Sequence, residues 1–275
     1  MNNPKVSINI PAYNAEKTIQ ATLESVLAQT YENLEIIICD DGSVDKTLEI
    51  LKEFEEKDSR IKVLENGVNK GVAHTFNCVA QNSSGDYIAT MSSDDICLSE
   101  RIEKQVKFMQ AHPEVDISGG EIEVERNGVV TAQNFHPLQF DHEKIVKQLI
   151  YCTAIHHVTM FAKSSVYKKV QYNEDFPAAV DYDFMLKALS QGLTFANQRD
   201  SLTRYKVHDG AIGSRRRASQ LHGAYIANIL YKQREKYGNE RDSYSSIKNS
   251  ANFFDKLFLD ISAKQREDNT FNKLL

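Results

Sequence analysis

The feature that most constrains this chain is the regular alternation of short apolar runs with amphipathic stretches before Pro113. "KVSINI" (5–10), "LEIIICD" (34–40), "IKVLEN" (61–66) and "DYIATMSS" (86–93) are each too short for a helix and rich in β-branched residues. Between them lie "AEKTIQATLESVLAQT" (15–30), "VDKTLEILKEFEEKD" (44–58) and "VAHTFNCVAQNS" (72–83). In the first of these Ile19, Leu23, Val26 and Leu27 recur at helical spacing, and in the second Leu48, Leu51 and Phe54 do. Strands alternating with helices of about 10–15 residues imply βαβ units and a mostly parallel sheet. The unbroken "EIIIC" core of the second strand fits a strand buried on both faces. The first strand is expected to end at Pro11. The helix over "SERIEKQVKFMQAHP" (99–113) is expected to open on a capping box built from Ser99 and Glu103.

Beyond residue 115 the pattern changes. "EIEVERNGVVTA" (121–132) places Asn127-Gly128 between two extended arms, a signal for a type I′ hairpin. "VTMFAKSSVYKKV" (158–170) reads as a strand and a short helix, and "DYDFMLKALSQG" (181–192) as an amphipathic helix closed by Gly192. From about Ala218 the chain reads as polar helix. The stretch 204–241 carries nine Lys/Arg against three Asp/Glu. Such a run is either a solvated helical pair packed on the main domain or a contact with an anionic membrane surface or substrate. The organisation expected is one α/β domain over 1–215 and a helical C-terminal extension over 216–275.

Net charge is −5, from 33 basic and 38 acidic residues, which gives no general affinity for nucleic acid. The N-terminal residues lack the long apolar core of a signal peptide. No window reaches the roughly 18–20 apolar residues needed to span a bilayer. Cys39, Cys78, Cys97 and Cys152 form no Cys-x-x-Cys pair, which argues against a zinc site and a disulfide framework. A cytoplasmic setting is expected, with at most peripheral contact with the inner face of the membrane.

In an open parallel sheet, ligands bind beyond the carboxyl ends of the strands. Those ends here read "PAYN" (11–14), "CDDGSVDKT" (39–47), "NGVNKG" (66–71) and "SSDD" (92–95). The dinucleotide Gly-x-Gly-x-x-Gly, the P-loop and the Gly-x-Ser-x-Gly elbow are all missing. What remains is a set of acids without a phosphate-cradling loop. Such a set can meet a diphosphate through a hard divalent cation.

In order and spacing, "PAYNAEKTI", "DDGSVDKT", "NKGVAHTFN", "GDYIATMSSDD" and "VDYDFMLKALSQG" resemble family 2 glycosyltransferases with the GT-A fold, over roughly residues 4–210. The resemblance implies an inverting transfer of a sugar from a nucleotide sugar, UDP-linked, to an acceptor hydroxyl. It also implies a setting in bacterial surface polysaccharide or lipopolysaccharide synthesis, with a glycan or lipid-linked sugar as acceptor and Mg²⁺ or Mn²⁺ as cofactor. Carried onto this chain, Pro11, Ala12, Tyr13 and Asn14 form the loop that packs the nucleobase. Asp40 or Asp41 hydrogen-bonds the base, and the pattern does not separate the two. Lys70 meets the nucleotide, and Ser93 and Asp94 lie on its ribose side. Asp95 is the metal ligand, with His208 as a second, and Asp181 is the catalytic base, with Asp183 as its rival. The chain departs from the family at Ser92, where many members carry the first acid of Asp-x-Asp-Asp, and at Val180, where many carry Glu. A sugar-1-phosphate nucleotidyltransferase has a related sheet but needs a glycine-rich N-terminal loop that "NIPAYNAEKT" lacks. A nucleotide-sugar-binding module without turnover has no use for an acid at 181. His156, His157 and Arg215 to Arg217 are left without a settled role.

Overall fold

The structure, a computed structural model, describes residues 3–135, 137–176, 178–207 and 217–238. His208, Arg215, Arg216 and the apolar residues near Phe253 lie outside the described residues. Strands β1 (Val6–Ala12), β2 (Leu34–Asp40), β3 (Ile61–Glu65) and β4 (Tyr87–Thr90) are parallel neighbours in the order β3-β2-β1-β4. Helices α1 (Ile19–Leu27), α2 (Thr47–Lys57) and α3 (Val72–Gln81) connect them. Strand β1 continues through Pro11, against the sequence expectation. Even-numbered residues of β1 bond β2, as when Ala12 O accepts from Asp41 N, whereas Asn9 O accepts from Met91 N on the β4 side. Pro11 therefore turns its missing N–H toward β4, whose register with β1 has already ended at Asn9.

The sheet continues through β8 (Phe161–Lys163), β6 (Ile117–Arg126), β9 (Phe195–Val207) and β5 (Ile96–Cys97), with β7 (Val129–Gln133) paired to β6. Asn127 and Gly128 have φ of 51° and 78°, the two positive values a type I′ turn requires. Alternating residues of β2 enter opposite cores, Ile36 and Ile38 with Leu23 and Leu51, Ile37 and Cys39 with Phe76 and Phe184. Helices α4 (Arg101–Ala111), α5 (His142–Leu149), α6 (Ser164–Lys169), α7 (Val180–Ser190) and α8 (Arg217–Tyr237) complete the layers.

Two helix termini separate expectation from structure. Helix α4 has Glu100 as its N-cap residue with no side-chain cap, and Glu103 instead bonds Thr30 and Lys107, so the capping box does not form. Helix α7 ends as expected. Gly192, at φ 70°, donates to Leu189 O, and Leu193 donates to Ala188 O, the pair of bonds that defines a Schellman motif.

At the amino edge of the sheet Glu35 accepts from Lys5 Nζ at 2.6 Å, from Ser84 N at 2.6 Å and from the Ser7 hydroxyl, tying β1, β2 and the approach to β4. Burial alone would raise this carboxyl, but those donors hold it down at about 2. A depressed carboxylate stabilises the fold above its unfolded pKa, and that contribution is lost as pH falls toward 2. Glu35→Gln should cost about 1–2 kcal/mol at pH 7, Lys5 being partly exposed and screened. In paired thermal melts the gap between variant and parent should close near pH 2.

Candidate active site

Because β1 to β4 are parallel, their carboxyl ends share one edge, and that edge carries most of the expected residues. Ala12 is buried in the core and Tyr13, next along, is 47% exposed. Asn14 sits in the left-handed region at φ 49°, its N–H donates to Ser43 Oγ, and its side-chain oxygen accepts from Val44 N at 3.0 Å. It fastens the loop after β1 to the loop after β2.

The structure separates the two acids that the sequence left equivalent. Asp41 spends both oxygens on the loop after β3. Oδ1 accepts from Asn66 Nδ2 at 2.7 Å and from Lys70 N at 2.9 Å, and Oδ2 accepts from Gly71 N at 2.9 Å. Asp40 Oδ2 accepts from Gly42 N and Ser43 N, and its Oδ1 is buried without a hydrogen-bond partner among the described residues. Lys70 thus meets Asp41 through its backbone, while its side chain is exposed. Gly42 is required twice over. Its φ is +72°, and a Cβ there would lie 2.5 Å from the Val68 carbonyl carbon. Gly42→Ala should therefore displace the 66–71 loop, costing about 1–3 kcal/mol, as thermal melts would register.

At the end of β4 the turn Ser92–Asp95 is held from beneath by one polar stripe of α1 and its approach. Thr18 Oγ1 donates to Ser93 O, Thr22 Oγ1 to Asp95 O, and Ser25 Oγ accepts from Cys97 N. These residues, with Gln29 bonding Leu98 O, were missed in the sequence, although their i, i+4, i+7, i+11 spacing on an otherwise apolar helix was the available signal. Asp95 is 1% exposed. Its Oδ1 accepts from Lys206 N at 2.9 Å, and its Oδ2 has no hydrogen-bond partner among the described residues. Burial first, then Asp94, pushes this carboxyl up to about 8, with Lys206 N–H, the Ser92 hydroxyl and Arg101 acting the other way. Arg101 was also unforeseen. It is buried with its head donating to Thr90 O at 2.8 Å, Thr203 Oγ1 at 3.1 Å and Gln105 Oε1 at 3.0 Å.

Asp181 comes from the first turn of α7, far from the β4 acids in sequence. The Tyr205 hydroxyl is raised to about 12 by burial and by Asp95, Asp94 and Asp181 together. On the other flank His157 Nε2 lies 2.8 Å from Tyr172 Oη, and the field of Asp181 reaches both side chains. Phe135, 53% exposed, stands edge-on to Tyr205 at 5.1 Å and to His156 at 6.2 Å, which makes an aromatic wall beside these acids. Asp183, the rival base, is wholly buried and faces away. It pairs with Lys187 at 3.1 Å and Arg234 at 3.8 Å. Among the described residues no three His, Cys, Asp or Glu side chains cluster as a ready-made metal cage. A cavity of about 410 Å³ between α3 and α6 opens at the start of β4, not at this edge.

The curled, mostly parallel sheet flanked by helices is that of a GT-A fold. The family model "Glycosyl transferase family 2" matches residues 7–169, and the chain belongs to that family. An Escherichia coli relative described as UDP-Glc:alpha-D-GlcNAc-diphosphoundecaprenol beta-1,3-glucosyltransferase WfaP is 36% identical over 211 residues, 76% of this chain and 80% of the relative. The crystal structure of S. aureus TarS 1–349 in complex with UDP superposes with a TM-score of 0.67 at 19% identity, covering 86% of this chain and 67% of that one. The mannosyltransferase PcManGT from Pyrobaculum calidifontis, in complex with GDP-Man and Mn²⁺, gives 0.64 at 18% identity, covering 83% and 65%.

Proposed function

We propose that this glycosyltransferase moves a hexose from a UDP-sugar, with inversion, onto a hydroxyl of a lipid-diphosphate-linked sugar. What supports the reading is that Asp95 and Asp181, from separate elements, both act on the charge of the Tyr205 hydroxyl. Inversion in one displacement needs a base on the side opposite the leaving diphosphate, and therefore a base that does not come from the metal-binding turn.

In this reading Tyr13 packs the uracil and Asp40 Oδ1 accepts its N–H, while Asp41 and Asn14 hold the loops that form the slot. Pro11 and Ala12 end the strand beneath it, and Lys70, Ser93 and Asp94 line the diphosphate and ribose side. A buried carboxylate oxygen with no partner, in a group whose charge burial opposes, fits a cation ligand, and Asp95 Oδ2 is such an atom. Asp95 would hold Mg²⁺ or Mn²⁺ with His208, and the cation, when bound, neutralises charge growing on the diphosphate. Asp181 takes the proton from the acceptor hydroxyl. That oxygen then bonds to the anomeric carbon as the bond from carbon to the β-phosphate oxygen breaks, and UDP leaves. Phe135 offers the acceptor sugar an apolar face beside the base. The acceptor class is supported by the WfaP relative, and the basic stretch 204–241 suits peripheral contact with an anionic membrane; no described helix is long and apolar enough to cross one.

The test is a panel of UDP-glucose, UDP-galactose, UDP-GlcNAc and GDP-mannose with Mn²⁺ or Mg²⁺, with and without polyprenyl-diphosphate-linked GlcNAc, scoring released nucleoside diphosphate. One UDP-sugar should be consumed and EDTA should stop the reaction. If no UDP-sugar is turned over or raises the melting temperature, the reading fails.

A further inference from the structure

We propose that helix α8 sets the position of Asp181 from behind, through Gly223, Asn228 and Arg234, and so belongs to the transfer machinery. The inference rests on the reading of Asp181 as the base.

The turn entering α7 needs outside support. Ala179, its N-cap residue, sits at φ 55°, in the left-handed region that an alanine rarely enters. Such a conformation persists only where the surroundings impose it. Helix α8 supplies those surroundings at closest approach. A Cβ on Gly223 would lie 2.3 Å from Ala178 O and 3.3 Å from Ala179 Cβ, so the helix backbone rests on the turn with room for hydrogen alone.

Two further attachments bracket the base. Asn228 Nδ2 donates to Ile150 O at 2.5 Å and to Tyr182 Oη at 3.3 Å, and Tyr182 Oη itself donates to Leu149 O at 2.5 Å. Tyr182 is the residue after Asp181. One residue further on, the buried Asp183 faces Arg234 of α8 at 3.8 Å, with Lys187 on its other oxygen. Ile226, Ala227 and Leu230 are buried in the same apolar cluster as Met185 and Leu186. Residues 223, 226, 227, 230 and 234 form one face of α8. That face fixes positions 178, 179 and 183, and Asn228, from beside it, fixes 182. Position 181 is left half-buried on the opposite side, toward Tyr205 and His157. A base misplaced by about 1 Å loses on the order of a hundredfold in rate, so a contact this close is a positioning contact.

The experiment compares Gly223→Ala and Asn228→Ala with the parent and with Asp181→Asn, using UDP-glucose or whichever panel nucleotide is turned over. It measures kcat, donor KM, and UDP affinity and stoichiometry by calorimetry. Positioning predicts a kcat about ten- to a hundredfold lower, with donor KM, UDP affinity and the UDP-binding fraction unchanged. A parental kcat in the folded variants overturns the inference. So does a kcat that falls only in step with the UDP-binding fraction, since that is the mark of a structural role. If Gly223→Ala does not fold, Asn228→Ala decides by the same criteria. Loss of transfer in Asp181→Asn with none in the α8 variants sinks this inference alone, whereas transfer surviving in Asp181→Asn sinks the base assignment itself.

Discussion

An Asp181→Asn enzyme should bind UDP as the parent does and transfer sugar about 10²–10⁴ times more slowly, the usual worth of a positioned general base. The isosteric amide keeps the shape of the α7 terminus but cannot take a proton. Single-turnover transfer at saturating donor measures the loss, and calorimetric UDP titration measures what is kept. Asp183→Asn is the contrasting control. Its carboxylate is buried between Lys187 and Arg234, and removing one partner of a buried ion pair typically costs about 3–5 kcal/mol. That variant should therefore melt earlier. Near-parental transfer by Asp181→Asn would move the base elsewhere.

Asp95→Asn is the second large effect expected. Asp95 alone on the β4 turn combines full burial, a second oxygen without a hydrogen-bond partner and a raised pKa. Replacing it should abolish stimulation by Mn²⁺ and Mg²⁺ and lower the transfer rate by about a thousandfold, equivalent to the several kcal/mol a cation lends to a phosphate-bearing transition state. Rates measured across a Mn²⁺ titration, together with Mn²⁺ binding in the presence of UDP, would establish this. If Asp94→Asn loses the metal response while Asp95→Asn keeps it, the ligand is one residue earlier.

The contrast between Asp40 and Asp41 shows how far sequence reading reached. Adjacent acids before a glycine mark a turn at a strand end, but which of them keeps an oxygen for a ligand depends on the 66–71 loop, which arrives from another βαβ unit and takes both oxygens of Asp41. Arg101 was invisible for a related reason. An arginine opening a polar-looking helix reads as solvated, and only the convergence of Thr90, Thr203 and Gln105 makes its burial affordable.

By itself the sequence determined the βαβ order, the buried parallel strands, the Asn127-Gly128 hairpin, the Gly192 cap and the edge on which the acids gather. Each depends on local periodicity or on a backbone conformation that one residue type favours. The tertiary structure alone decided which acids are spent on loops and which keep an oxygen free among the described residues, that Asp183 turns into an ion pair with Lys187 and Arg234, and that α8 presses on the turn before the base. Those outcomes depend on which side chains from distant segments arrive to desolvate or satisfy a polar group, and chain spacing does not encode that.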